Sequence, residues 1–84
     1  MTDWRAELMP AVLQQMDGFP VEAFSTLTQL LGRICEDPYE RLHSAPLPPV
    51  PGRRIAELGD HGFIEFRIDQ DAGLIRVYRL VWTG

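Results

Sequence analysis
The chain has 84 residues, 45% of them hydrophobic, which suits one small domain with a modest core and no room for a second. Its formal charge is −4, and such acidity argues against a strong non-specific nucleic-acid binder, which carries a basic surplus. No apolar run approaches the roughly 18 residues of a membrane span, no secretory signal pattern opens the chain, and the single Cys35 cannot form an internal disulfide, so a cytoplasmic setting is expected.

The first stretch to decide is WRAELMP, residues 4–10. A helix running through it would hold Pro10 in its interior at a cost of about 3 kcal/mol. The alternative has period two, with Trp4, Ala6 and Leu8 on one side and Arg5 and Glu7 on the other. Pro10 then opens a helix, where its fixed φ and missing N–H do no harm. The spacing therefore predicts a strand, a helix over 11–16, and a C-terminal cap at Gly18. A second helix opens at Pro20 and ends before Pro38; Phe24, Leu27, Leu31 and Ile34 repeat at three and four, and Leu30 widens the stripe. Cys35 lies at the end of that helix with no histidine near it in sequence, which reads as packing.

Residues 38–52, PYERLHSAPLPPVPG, hold five of the seven prolines and read as an extended connector. Three strand signals follow. RRIAEL (53–58) alternates Arg54, Ala56 and Leu58 with Arg53, Ile55 and Glu57. After the turn GDHG, FIEFRID (63–69) alternates Ile64, Phe66 and Ile68 with Glu65, Arg67 and Asp69. After the turn QDAG, LIRVYRLVW (74–82) is β-branched and aromatic enough to expect a central strand covered on both faces. The expected fold is α+β: a helical hairpin (within 1–37) packed on a three- to four-stranded antiparallel sheet (53–84, with 3–8 as the fourth strand). The expected core is Trp4, Leu8, Phe24, Leu27, Leu31, Ile34, Phe66, Ile68, Val77 and Leu80.

Charge is unevenly spread. Residues 1–45 carry seven acids against three arginines, a net of −4, while residues 46–84 carry five acids and five arginines, a net of zero. There is no lysine, so every fixed positive charge is a guanidinium, suited to bidentate phosphate or carboxylate contacts. Arg53, Arg54, Arg67, Arg76 and Arg79 come from adjacent predicted strands. They either converge on one sheet face to seat phosphates or pair across strands with Glu57, Glu65 and Asp69. His61 in its turn has the pKa range of a general base, and Tyr78 could orient a nucleotide; a solvated turn and core packing are the plainer readings of each. No metal-ligand spacing, no phosphate-cradling glycine loop and no cofactor motif is present, and Ser25 and Ser44 lack nucleophile machinery.

The order of elements, with LMPAVLQQMDGFP, CEDPYE and RRIAELGDHGFIEFRID…AGLIRVYRLVWTG, resembles the RelE/ParE superfamily of type II toxins, in its actinobacterial-type members, over nearly the whole chain. The proline-rich crossing and the sheet edges should leave apolar surface for another chain, an antitoxin or, when the chain is alone, a second copy in a homodimer. The resemblance likewise implies a cognate antitoxin as partner. It also implies one of two activities: RelE-like members enter the ribosomal A site and cut mRNA as metal-independent endoribonucleases, whereas ParE-like members poison DNA gyrase without a nuclease site. Two registers against the family stay open. The alternative one aligns GFIEFRID with the family's glycine–aromatic–glutamate–arginine strand, leaves the family's last strand missing, and makes Arg67 the phosphate-facing arginine. With the turn residue His61 as general base, it forms the catalytic pair of candidates. Arg53, Arg54, Arg76, Arg79 and Tyr78 become the substrate-binding ones. The chain departs from the cleaving pattern at Gly62-Phe63-Ile64, where a basic residue is absent, and after Trp82, where no basic and aromatic tail follows. Both a cleaving enzyme and a non-cleaving binder of this fold therefore stay open.

Overall fold
The computed structural model describes residues 3–83. In chain order it contains strand β1 (Arg5–Leu8), helix α1 (Pro10–Met16), helix α2 (Val21–Glu36), the two-residue strand β2 (Ala45–Pro46), and strands β3 (Arg53–Glu57), β4 (Gly62–Asp69) and β5 (Leu74–Trp82). WRAELMP is thus a strand handing over to a helix, and Pro10 is the first helical residue. Gly18, at φ 89°, turns the chain between the helices with a backbone that other residues resist. No described helix is long and apolar enough to cross a membrane.

The five strands form one sheet in the order β1-β5-β4-β3-β2. This extends the expected three- to four-stranded antiparallel sheet in two ways. First, β1 pairs parallel with β5, because the two helices carry the chain back across one face before the meander begins. Second, the connector supplies Ala45–Pro46 as an edge strand against β3, a place where proline's missing donor breaks no ladder. The remaining pairs are antiparallel.

The core lies between the hairpin and one sheet face. Val12, Leu27, Leu30 and Ile34 meet Ala56, Leu58, Ile64, Phe66, Ile68, Ile75, Val77 and Leu80 there. Of the expected core, Leu27, Ile34, Phe66, Ile68, Val77 and Leu80 are buried, while Trp4, Leu8 and Leu31 pack half-buried at its margin. Phe24 departs from the expectation: it is 38% exposed. The buried stripe of α2 is Ala23, Leu27, Leu30 and Ile34, and at 3.6 residues per turn Phe24 sits about 90° away from its centre.

The meander is closed at one end by a tight approach. A Cβ on Gly62 would overlap the Val81 carbonyl, so only glycine fits there. The His61 carbonyl beside it accepts bonds from both the amide (2.6 Å) and the hydroxyl (2.8 Å) of Thr83.

Candidate functional site
The helices cover one face of the sheet and leave the other bare, and period two sends alternate residues to it. Along β3 and the residue that follows it the buried set is Arg54, Ala56 and Leu58; on β4 it is Ile64, Phe66 and Ile68. Arg53, Glu65 and Arg67 therefore point to the outer face. Strand register aligns them: Arg53 stands opposite Arg67, and Arg67 opposite Arg76, in one row across three adjacent strands. Glu7 on β1 ends the row. Like charges directly opposite one another destabilise a sheet, so this row favours an anion laid across it.

The second row contains a bulge. Glu65 pairs with Arg79 and Phe66 with Val77, which leaves Tyr78 as the extra residue on β5. A bulge of this kind turns two successive side chains to the same side. Tyr78 and Arg79 accordingly both belong to the outer face, where the Arg53 guanidinium lies 4.6 Å from the centre of the Tyr78 ring. This corrects the expectation that β5 is covered on both faces: it is an interior strand, but its outer side carries Arg76, Tyr78 and Arg79 instead of a second hydrophobic layer.

The arginines are not equivalent. Arg76 pairs with the Asp69 carboxylate at 3.1 Å, and Arg79 with Glu65 at 3.1 Å. Asp69 also accepts the Ala72 amide at 3.1 Å, so its carboxylate is fixed by the turn it begins. Among the described residues Arg53 and Arg67 make no ion pair. The Nε atoms of Arg53 and Arg76 and the hydroxyl of Tyr78 are shielded from solvent without a hydrogen-bond partner. Burial pushes the Tyr78 phenol above its ordinary value near 10, and the neighbouring Arg53 charge partly opposes that shift. At one end of the row a cleft of about 340 Å³ opens between Arg67, Asp69, Gln70, Asp71 and Arg76.

Two candidates lie elsewhere. Arg54, although next to Arg53, points inward; its Nε donates to the Ser44 hydroxyl at 2.6 Å and its Nη2 to the Ser44 carbonyl at 2.9 Å. It is 7% exposed, and it ties the connector to β3 instead of facing a ligand. His61 stands in the turn before β4, edge-on to Trp82 at 5.5 Å. Six residues of extended strand separate it from Arg67, roughly 20 Å, so the two cannot act on one phosphate. His43 is half-buried in the connector, on the helix side, near Arg33, Glu57 and Asp60. Cys35 is half-buried and burial raises its thiol pKa, which agrees with packing. Among the described residues no group of three or more histidine, cysteine, aspartate or glutamate side chains is placed to hold a metal ion. Sequence reading missed Glu7 and the bulge at Tyr78, because both depend on register between distant strands.

A two-helix hairpin covers one side of the five-stranded sheet, and an arginine row lies on the other. In particular, the chain superposes on a chain of the crystal structure of the toxin-antitoxin complex RelBE2 from Mycobacterium tuberculosis, with a TM-score of 0.79 over 95% of this chain and 98% of that one. Sequence identity between the two is 13%, so the likeness is one of fold. No protein-family model and no curated protein sequence matches the chain.

Proposed function
We propose that this chain is the toxin of a type II toxin–antitoxin pair, bound by a cognate antitoxin, and that its outer sheet face holds RNA phosphates as an mRNA interferase. The observation that carries the reading is the in-register row Arg53–Arg67–Arg76, joined by Tyr78 at the bulge. The fold shared with a chain of a toxin-antitoxin complex supports the partnership.

In this reading Arg67 and Arg53, which have no carboxylate partner among the described residues, seat the phosphate through forked N–H contacts. Arg76 and Arg79 add charge once the phosphate competes with Asp69 and Glu65. Guanidinium groups aimed at a phosphate stabilise the charge that develops when a neighbouring 2′-hydroxyl attacks it. With His61 roughly 20 Å from Arg67, the proton acceptors at that end of the sheet are the Glu65 and Asp69 carboxylates.

A second reading, a non-cleaving member that occupies a protein target such as DNA gyrase or only its antitoxin, is favoured by the distance between His61 and the arginine row. Induced expression of wild type and Arg67→Ala separates the two. Growth arrest with new mRNA 5′ ends that vanish in the variant establishes the enzyme. Arrest with intact mRNA and damaged DNA establishes the gyrase reading. A folded chain that causes no arrest leaves only antitoxin binding.

A further inference from the structure
The connector between α2 and β3 folds around a second cleft beside the arginine row. Its volume is about 260 Å³, and its walls are Tyr39, Leu47, Val50 and the four prolines between 46 and 51, with Arg53 and Arg54 as its charged residues. The loop is held at several points. The Leu47 amide donates to the Arg53 carbonyl at 2.8 Å, the Arg53 amide to the Val50 carbonyl at 3.3 Å, and the Ile68 amide to the Gly52 carbonyl at 2.8 Å. The two bonds from Arg54 to Ser44 anchor its start. Proline rings fix φ between these points, so the cleft is formed before anything enters it and little chain entropy is left to lose.

The lining restricts what fits. It is largely apolar, contains no acid, and has Arg54 committed to Ser44, which leaves Arg53 to meet a ligand. Arg53 belongs to the cleft and to the row alike: it stands opposite Arg67 in register and makes no ion pair among the described residues. Tyr39 is 49% exposed, and its hydroxyl lies 3.4 Å from Oε1 of Gln70, which lines the cleft of Arg67 and Arg76. The Tyr39 side chain thus stands between the two clefts. A cationic ligand is repelled by Arg53, and inorganic phosphate leaves the apolar walls unused. A nucleotide has both parts that the lining asks for, an anion and a flat ring. An aromatic side chain beside a cationic groove is how proteins hold the bases of a single strand.

We propose that this cleft stacks one RNA base against Tyr39, the base of the nucleotide whose phosphate rests on Arg53. Tyr39 is then a positioning residue that sets where the strand lies along the row. The proposal rests on the reading of the outer sheet face as a phosphate site, and its test separates the two. Isotope-labelled full-length chain is titrated at low salt with hexaadenylate RNA and with the same ribose-phosphate backbone lacking bases. Both should shift Arg53 and Arg67; only hexaadenylate should also shift Tyr39, Leu47 and Val50, and it should bind about tenfold tighter. Tyr39→Ala, at an exposed position, should remove that tenfold advantage and leave the affinity for the abasic strand unchanged. Tyr39→Phe should restore it, because the ring and not the hydroxyl carries the stack. Unchanged sheet resonances in both variants would show that the fold is kept. Shifts along the arginine row with Tyr39 and the connector unmoved would overturn the proposal and leave the phosphate reading standing. Equal weakening of both strands by Tyr39→Ala would overturn it in the same way. No saturable shift with either strand would overturn both. A concentration-dependent dimer that Tyr39→Ala dissociates would assign the cleft to a second copy and also overturn the proposal.

Discussion
The two uncovered faces of this small molecule are opposites. The outer sheet face is polar and carries Arg53, Arg67, Arg76 and Arg79 with Tyr78 among them. The outer hairpin face is apolar and acidic, with Leu13, Val21 and Phe24 exposed and Asp17 in its groove. A net charge of −4 describes neither. The acids of the first half lie largely on the helical side, and strand register sets Arg53, Arg67 and Arg76 in one row on the sheet. The lesson is that overall acidity excludes a uniformly basic binder but not a local basic surface.

The comparison breaks completely if the shared core fails. Phe66 is fully buried beneath both faces, and Phe66→Ala should cost about 3–5 kcal/mol, seen as loss of cooperative thermal unfolding and of both binding activities together. A sharper test uses neighbours in sequence. Arg54→Ala strands the Ser44 hydroxyl and carbonyl in a buried site and should cost about 1–3 kcal/mol in denaturant unfolding. Arg53→Ala, one residue away on the outer face, should leave stability within about 0.5 kcal/mol while weakening RNA binding. If the stability costs of the two came out reversed, the assignment of faces would be wrong.

Smaller effects refine the cationic face. Arg67→Ala should lower affinity for a single-stranded RNA oligonucleotide about tenfold and reduce the slope of log affinity against log salt by about one. Phe24→Asp should change neither quantity. The smallest effect is alkaline. The Tyr78 phenol is raised above its ordinary value, so its contribution to stability is full below pH 10 and declines as pH rises through the higher folded value. Tyr78→Phe should remove that decline, as measured by unfolding above pH 10.

Much of this architecture was legible before any coordinates. Alternation in RRIAEL and FIEFRID separated inward from outward residues correctly, because period two needs only local sequence. Proline marked the starts of both helices for equally local reasons. What escaped depends on distant pairing. The parallel bond between β1 and β5, the alignment of Arg53, Arg67 and Arg76, and the bulge at Tyr78 are set by register between strands far apart in sequence. Phe24 misled because it keeps the three-and-four spacing with Leu27, Leu31 and Ile34, while Ala23 holds the inward position. Arg54 was read with its neighbours as a phosphate ligand, although its own alternation with Ala56 and Leu58 already placed it inside. Gly84, the last residue of the AGLIRVYRLVWTG stretch, lies outside the described residues.

The central claim is that RNA phosphates meet the arginine row and leave the hairpin untouched. Its most direct test is a backbone resonance titration of the isotope-labelled chain with a short single-stranded RNA at low salt. The account predicts saturable shifts along Arg53, Arg67, Arg76 and Tyr78, absent in Arg67→Ala, with Leu13, Val21 and Phe24 unmoved. Shifts centred on the hairpin, or an RNA response that Arg67→Ala leaves intact, would contradict it.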